Sequence, residues 1–204
     1  MAEQEGVIKF SLNFTPGEQS RQIDIELHAW RALLHGYGLI GQVPHRYEGF
    51  GFGNLSQRDA IGFSITATQT GGRQSLSDTD YAWVTAWSLE QNALSATGLT
   101  PPSSESLTHA AIYEAQPEVR FVFHVHSPDL WTDRAILELP ETAAEIPYGT
   151  VEMALALKAL AANLGVEGIA AMAGHEDGIV SWSKSAVGAG LLLMNGLQRL
   201  SILR

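Results

Sequence analysis

The sequence contains no cysteine, and its 12 lysine and arginine residues are outnumbered by 22 aspartate and glutamate residues, for a net charge of −10. Without cysteine there is neither a disulfide framework nor a thiolate metal site, so a transition metal would need histidine and carboxylate ligands. Basic runs interleaved with aromatic residues are also missing, which argues against contacts with a phosphate backbone. We therefore expect no nucleic-acid partner.

A targeting leader and a long hydrophobic run are missing as well. Residues 1–5 lack a positive region followed by an apolar one, and the longest apolar stretch, near Ala186 to Met194, contains two glycines and looks too short to span a bilayer. We expect a cytoplasmic protein with no membrane partner. With 45% hydrophobic and 17% charged residues, the 204-residue chain has the composition of a globular protein, and we expect a single domain over residues 1–204.

Hydrophobic periodicity predicts a mixed α and β protein with a central sheet. Leu27, Trp30 and Leu34 recur at helical spacing and predict an amphipathic helix ending near Gly36 or Gly38, with Arg31 on another face. Further helices are expected at 105–116, 151–164 and 185–203, and strands at 60–68, 81–89, 120–126 and 168–173.

Two histidines in one predicted strand are the first candidates for chemistry. Residues i and i+2 of a strand point to the same face with Cα atoms roughly 6.6 Å apart, so His124 and His126 could bind one ion. Val125 should face the core instead. Two unrelated polar side chains are an equally good interpretation of the pair alone. His175, in a turn after an apolar strand, is the best third ligand, although a lone histidine in a turn more often faces solvent.

Glu105 follows Ser103 and Ser104 at the start of a predicted helix, where the helix dipole favours a carboxylate. It could be an acid/base group or simply improve the helix cap. Glu105 and His109 are spaced i, i+4, which fits a metal half-site or, as we favour, a Glu–His hydrogen bond. The two serines, Asn54 and the turn at Thr70-Gly71 are suited to hold an anionic or polyhydroxyl ligand, but ordinary capping and turn chemistry is as good an explanation of each.

The order of these motifs resembles that of the class II aldolase/adducin head family, over roughly residues 20 to 200. The matching segments are Gly53-Asn54-Leu55-Ser56, Thr68-Gln69-Thr70-Gly71, Pro102-Ser103-Ser104-Glu105, His124-Val125-His126-Ser127, Pro147-Tyr148-Gly149-Thr150 and His175. The combination is far more specific than any one of its parts.

The resemblance implies a three-layer α/β/α fold with a central, mostly antiparallel sheet. It also implies that three histidines bind a divalent metal ion, for which zinc is the favoured identity, that Glu105 is the catalytic acid/base, and that a polar set binds the substrate phosphate. Members of the family assemble as tetramers, so a homo-oligomer is expected. By motif match the metal ligands are His124, His126 and His175, and the substrate-binding residues are Asn54, Thr70, Gly71, Ser103 and Ser104.

The implied function is that of an aldolase-type lyase. It would cleave a C–C bond of a small hydroxy-ketone or sugar phosphate through a zinc-stabilised enediolate, with Glu105 moving the proton. Two alternatives share the scaffold: a sugar-phosphate epimerase or dehydratase, and a non-catalytic interaction module like the adducin heads.

Several features depart from the family pattern. Only 48 residues separate His126 from His175, which is shorter than expected and should remove a strand and a proton-donating tyrosine. We also expect no closing tail with a second tyrosine after the last helix. Gln69 stands where a proline is usual, and Glu176 and Asp177 add negative charge that would disfavour a phosphate. A smaller or unphosphorylated substrate is therefore also expected.

Overall fold

The computed structural model describes residues 6–18 and 21–204. Over these ranges a large sheet, a two-stranded sheet and five α-helices form a mixed α/β fold. The helices are α1 (Ile25–Gly36), α2 (Ser106–Ala115), α3 (Pro128–Thr132), α4 (Val151–Leu164) and α5 (Ala186–Leu203). The strands are β1 (Ser11–Pro16), β2 (Gly41–Gln42), β3 (Gly51–Phe52), β4 (Asn54–Arg58), β5 (Phe63–Thr66), β6 (Tyr81–Ser88), β7 (Ala93–Gly98), β8 (Phe121–His126), β9 (Gly168–Ala171) and β10 (Gly178–Ser183).

The large sheet has the strand order β1-β7-β6-β5-β4-β8-β10-β9. Its β1–β7 pair is parallel, whereas its other neighbouring pairs are antiparallel, so the sheet is mixed rather than uniform. Strand β8 lies between β4 and β10, although these three strands are far apart in sequence. That central position brings the Asn54, His124 and His175 regions together.

Two hydrophobic clusters form the core. In β8, Val122 belongs to the cluster that includes α2 and α4, while Phe121, Phe123 and Val125 belong to the cluster that includes α1, α3 and α5. Alternate strand residues point to opposite faces, so Val125 packs on the opposite face from the histidines, as predicted. The predicted three-layer α/β/α arrangement requires one hydrophobic cluster on each face of the sheet, and the two clusters agree with it. The arrangement itself stays a prediction.

The helix predictions agree closely with the structure. Helix α4 covers the predicted residues, α1 ends at Gly36, and α2 is one residue shorter at each end than expected. The short helix α3 and the strands β1, β2, β3, β4, β7 and β10 were not predicted. In β10, Ser181 and Ser183 are fully buried because their hydroxyl groups donate to the Ala189 carbonyl and to Glu167, so polar residues interrupt the apolar pattern of a buried strand.

Helix α5 corrects the prediction about the longest apolar stretch. The helix runs unbroken for 18 residues, and by length and composition it is long enough to cross a membrane, so the expectation that this stretch is too short is wrong. Its buried residues include Ala189 and Leu193, which pack in the core cluster with β8 and β10. The core helix of a globular protein can have the same length and composition, and the cytoplasmic location stays a prediction.

Candidate metal centre

Strand pairing assembles the three histidines. Within β8, His124 lies opposite Asn54 of β4 on one side and Val180 of β10 on the other, and His126 lies opposite Gly178. The short turn before β10 carries His175 back over the end of β8. Residues 49 positions apart are therefore neighbours because β8 and β10 are adjacent antiparallel strands.

The imidazoles of His124, His126 and His175 form a compact buried cluster. One ligand atom from each lies within 4.8 Å of the others, and the Nε2 atoms of His126 and His175 are 3.0 Å apart. Ring centroids are separated by 4.7 to 5.2 Å. At most 3% of each residue is exposed. The alternative of unrelated polar side chains is therefore wrong for the H-x-H pair, and His175 does not face solvent.

Burial keeps these three histidines neutral. Loss of solvation lowers the pKa of His124 to about 4, and the weaker influence of the Ile179 backbone raises it. The same loss of solvation lowers the pKa values of His126 and His175 well below the usual value, and nearby histidines and the cations Arg46 and Lys9 add to this effect. Neither imidazole nitrogen of His124 makes a hydrogen bond of normal geometry within the described residues.

The cluster fits a divalent transition-metal ion. A tetrahedral zinc ion with Zn–N bonds of about 2.0–2.1 Å holds two ligand nitrogens roughly 3.4 Å apart, and the observed separations need only small side-chain rotations to reach this value. Metal ligation requires neutral imidazole, which burial favours here. Buried nitrogens without hydrogen-bond partners, as at His124, are also costly unless a ligand satisfies them.

Gly178 makes room for His175. A Cβ atom at Gly178 would lie 2.4 Å from Cδ2 of the His175 ring, too close for any real side chain. Because Gly178 also pairs with His126, the missing side chain is what lets the His175 imidazole lie over the end of β8. Gly174 also has no room for a side chain, since a Cβ atom there would lie 1.9 Å from the Ile146 carbonyl oxygen.

A polar pocket gathers the residues that were expected to bind substrate. Its walls come from the end of β3 and the start of β4, from the turn after β5, and from the segment before α2. Backbone hydrogen bonding joins the last two, since Thr68 N donates to the Pro101 carbonyl at 2.9 Å. The pocket is small, with a cavity volume of about 20 Å³, and its lining includes Asn54, Thr70, Gly71, Ser103 and Ser104.

Glu105 follows the pocket serines directly and is only 1% exposed. It stands at the residue before α2, and its side chain makes no hydrogen bond to the first turn of the helix. The interpretation of Glu105 as a capping carboxylate is therefore wrong. The Ser103 hydroxyl oxygen accepts from the Glu105 backbone N–H at 3.3 Å instead, which leaves the carboxylate to other contacts.

His109 does not form the predicted hydrogen bond with Glu105. Its Nδ1 lies 2.7 Å from the Ser56 hydroxyl, which in turn lies 2.7 Å from the Tyr113 hydroxyl. Its Nε2 has no hydrogen-bond partner in the described part of the chain. Burial lowers the pKa of His109 well below its usual value, and the nearby His124 lowers it further. The network fixes α2 against β4, next to the pocket.

Arg31 is a buried residue behind the pocket turn that the sequence analysis missed. The helical pattern placed it on a polar face, but it is only 2% exposed. Its guanidinium group donates to the carbonyl oxygens of Thr70 at 2.9 Å, Gly71 at 3.2 Å and Gln74 at 2.9 Å, and also to that of Arg73. It thereby holds the pocket turn in place. No local signal in α1 distinguishes it from a solvated arginine.

Two tyrosines lie against the metal-ligand candidates. The Tyr148 ring is 4.4 Å from the His175 ring and carries Lys9 Nζ 4.0 Å above its centre, and the Tyr47 ring is 4.5 Å from the His126 ring. The motif Pro147-Tyr148-Gly149-Thr150 could have identified Tyr148 from the sequence, whereas Tyr47 belongs to none of the matching motifs.

Two departures from the family pattern have a structural explanation. Gln69 has φ +58°, which proline cannot adopt, and its side-chain oxygen accepts from Gly51 N at 3.1 Å. Asp177 forms an ion pair with Arg46 at 3.4 Å and accepts a hydrogen bond from Tyr47. The negative charge expected to repel a phosphate is thus largely neutralised at Asp177, while Glu176 is exposed.

The family model for the class II aldolase and adducin N-terminal domain matches residues 44–194. The chain belongs to this family. The matched region includes the three histidines, Glu105 and all the pocket residues named above. No curated relative matches the chain by sequence.

Solved structures show the same fold. The L-fuculose-1-phosphate aldolase from Thermus thermophilus is 21% identical with a TM-score of 0.64, covering 88% of this chain and 93% of its own. YgbL from Klebsiella pneumoniae, a putative aldolase/epimerase/decarboxylase, is 20% identical with a TM-score of 0.59, covering 86% of this chain and 83% of its own. A sugar-phosphate aldolase from Thermotoga maritima is 16% identical with a TM-score of 0.59, covering 87% and 93%.

Proposed function

We propose that the protein is a metal-dependent aldolase-type lyase that acts on a small hydroxy-ketone or sugar phosphate. The observation that carries this proposal is the buried trio of neutral histidines beside a polar pocket, with Glu105 following the pocket serines in sequence. Family membership supports the same reaction class.

His124, His126 and His175 would hold the ion, for which zinc is our choice because histidine-only sites suit it. A divalent ion there would supply a Lewis acid for a substrate carbonyl and stabilise the charge that develops on its oxygens. Three protein ligands leave coordination positions for that purpose. Asn54 lies opposite His124 in the sheet and also lines the pocket, so this residue is common to both parts of the proposed site.

Glu105 would carry the proton. In the cleavage direction, the hydroxyl group β to the carbonyl loses its proton, the C–C bond breaks, and an aldehyde leaves. The electron pair stays on the carbonyl fragment, whose carbon then receives the proton. One carboxylate that accepts the hydroxyl proton and returns it to carbon balances the reaction, and burial of Glu105 protects it from exchange with bulk water.

The pocket would bind the far end of the substrate. The Thr70-Gly71 turn and the Ser103-Ser104 segment present backbone N–H and hydroxyl groups, which suit a phosphate or a polyol. Pairing of Asp177 with Arg46 removes one objection to a phosphorylated substrate. We further propose a homo-oligomer of this chain, probed by its mass in solution.

The test combines metal analysis with a product assay. Protein purified without chelators should contain a divalent transition metal, and it should release aldehyde from a panel of phosphorylated and unphosphorylated hydroxy-ketones. Less than about 0.2 equivalents of metal per chain would instead favour a non-catalytic, adducin-like interaction module. An epimerase or dehydratase is the second candidate, supported by the fold shared with YgbL, and it would isomerise or dehydrate a substrate from the panel without releasing aldehyde.

A further inference from the structure

The loop of residues 43–50 lies next to the histidine cluster. It contains a short helical turn, Tyr47–Gly49, in which Tyr47 and Glu48 have φ values of +49° and +55°. Residues other than glycine seldom adopt this left-handed conformation. Such a backbone persists when the surrounding contacts impose it, and it is found often at binding sites.

Tyr47 makes the contacts that impose this conformation. Its ring packs edge-on against His126 with centroids 4.5 Å apart, and against Phe52 at 5.0 Å. Its hydroxyl donates to Asp177 Oδ2 at 2.5 Å, across 130 positions of sequence. Arg46 Nη2 donates to the Tyr47 hydroxyl at 2.5 Å and lies 3.4 Å from the same carboxylate oxygen.

Asp177 belongs to the turn that carries His175. It also has a left-handed backbone, with φ +63°, and its carbonyl oxygen accepts from Ser127 N, the residue after His126, at 2.8 Å. The turn is closed by Gly178 N donating to the His175 carbonyl at 2.9 Å. The position of the His175 imidazole therefore depends on a turn whose outer side is tied to Tyr47.

We propose that Arg46, Tyr47 and Asp177, here called the Tyr47 clasp, position His126 and His175 for metal binding. Tyr47 touches one ligand ring and anchors the turn of the other, so it fixes the distance between them. These are positioning residues that act through the ligands, and the inference rests on the metal site proposed above. Groups that orient metal ligands typically contribute a factor of about 10 to 100 in metal affinity.

The test is a zinc titration of the full chain in competition with a chromophoric chelator. Tyr47→Phe keeps the ring on His126 but removes the hydroxyl, and it should weaken zinc binding about tenfold or more. Tyr37→Phe is the matched control, since Tyr37 directly follows α1 and is 65% exposed, and this variant should bind zinc as the wild type does. Asp177→Asn tolerates the left-handed backbone and removes the ion pair with Arg46. Asp177→Asn alone should weaken zinc binding. Combined with Tyr47→Phe, it should weaken zinc binding little further.

Two further measurements separate positioning from a purely structural role. The visible absorption bands of bound Co²⁺ report the arrangement of its ligands, and they should change in Tyr47→Phe but not in Tyr37→Phe. The melting temperature of the metal-free protein should change little in Tyr47→Phe. If that variant fails to fold, Asp177→Asn carries the same comparison.

The outcomes are distinct. Weaker zinc binding with an altered Co²⁺ spectrum supports the proposal. Wild-type zinc affinity and an unchanged spectrum in both Tyr47→Phe and Asp177→Asn would overturn it while leaving the proposed function intact. A wild-type chain that binds no zinc or cobalt would overturn the proposed function and this inference together.

Discussion

Acidification of the metal-free protein should lower its free energy of unfolding, because the buried histidines stay neutral in the folded state. His124 offers the clearest magnitude. Burial lowers its folded-state pKa to about 4, against 6.5 for the exposed side chain. Below pH 6.5 the unfolded chain takes up a proton at this residue that the folded chain refuses, so the unfolded state gains stability as the pH falls toward 4.

The size of the effect follows from the shift. A full 2.5-unit difference corresponds to about 3 kcal/mol, and about 2 kcal/mol of it should develop between about pH 7.5 and about pH 5, where most carboxylates are still ionised. His126 and His175, whose pKa values are also lowered, should steepen the loss.

Urea unfolding of chelator-treated protein at these two pH values measures the effect. His124→Gln removes the titrating group, so the variant should lose about 2 kcal/mol less than the wild type on acidification, whatever its stability at neutral pH. His45→Gln, which replaces an exposed histidine of the 43–50 loop, is the control and should keep the wild-type pH dependence. Equal losses in the wild type and His124→Gln would refute the reasoning.

Three further predictions follow from the site. Glu105→Gln should keep metal binding and lower turnover by a factor of about 10² to 10⁴, as measured by metal content and aldehyde release, and full activity would exclude the acid/base role. Gly178→Ala should displace the His175 ring, because the new Cβ would lie 2.4 Å from it, and so weaken zinc binding in a chelator titration. Gly36→Ala is its control, since a Cβ there meets nothing within 4 Å. Arg31→Met removes the guanidinium group that donates to four carbonyl oxygens of the pocket turn. The variant should therefore lower the free energy of unfolding in urea by about 3 kcal/mol and raise the KM for substrate. An unchanged KM would mean that substrate binding does not need this arginine.

Much of the local structure was predictable from short-range patterns. The apolar periodicity of residues 151–164 and 25–36 predicted α4 and α1, because a helix is decided by residues three and four apart. The two-residue period of a strand placed His124 and His126 on one face, with Val125 on the other. The order of the motifs also grouped the pocket residues correctly, although their roles in binding stay predictions.

The predictions that failed depended on contacts between distant residues. Arg31 is buried because the carbonyl oxygens of the 70–74 turn surround it, and its own helix contains no sign of this. The His109 side chain bonds to Ser56 of β4 rather than to the side chain of Glu105, which is nearer in sequence. In each case the partner was selected by packing, which i, i+4 spacing does not describe.

The sequence by itself determined which residues could do chemistry: three histidines, a carboxylate beside two serines and a turn rich in donors, in the order typical of class II aldolases. Only the tertiary structure decided that the histidines meet. Their meeting depends on the register of β8 and β10, which sets Gly178 opposite His126 and lets the His175 ring lie in the space that a side chain would fill. The contact of Tyr47 with His126 and Asp177 is of the same kind, because it joins segments 130 residues apart through geometry that no local pattern encodes.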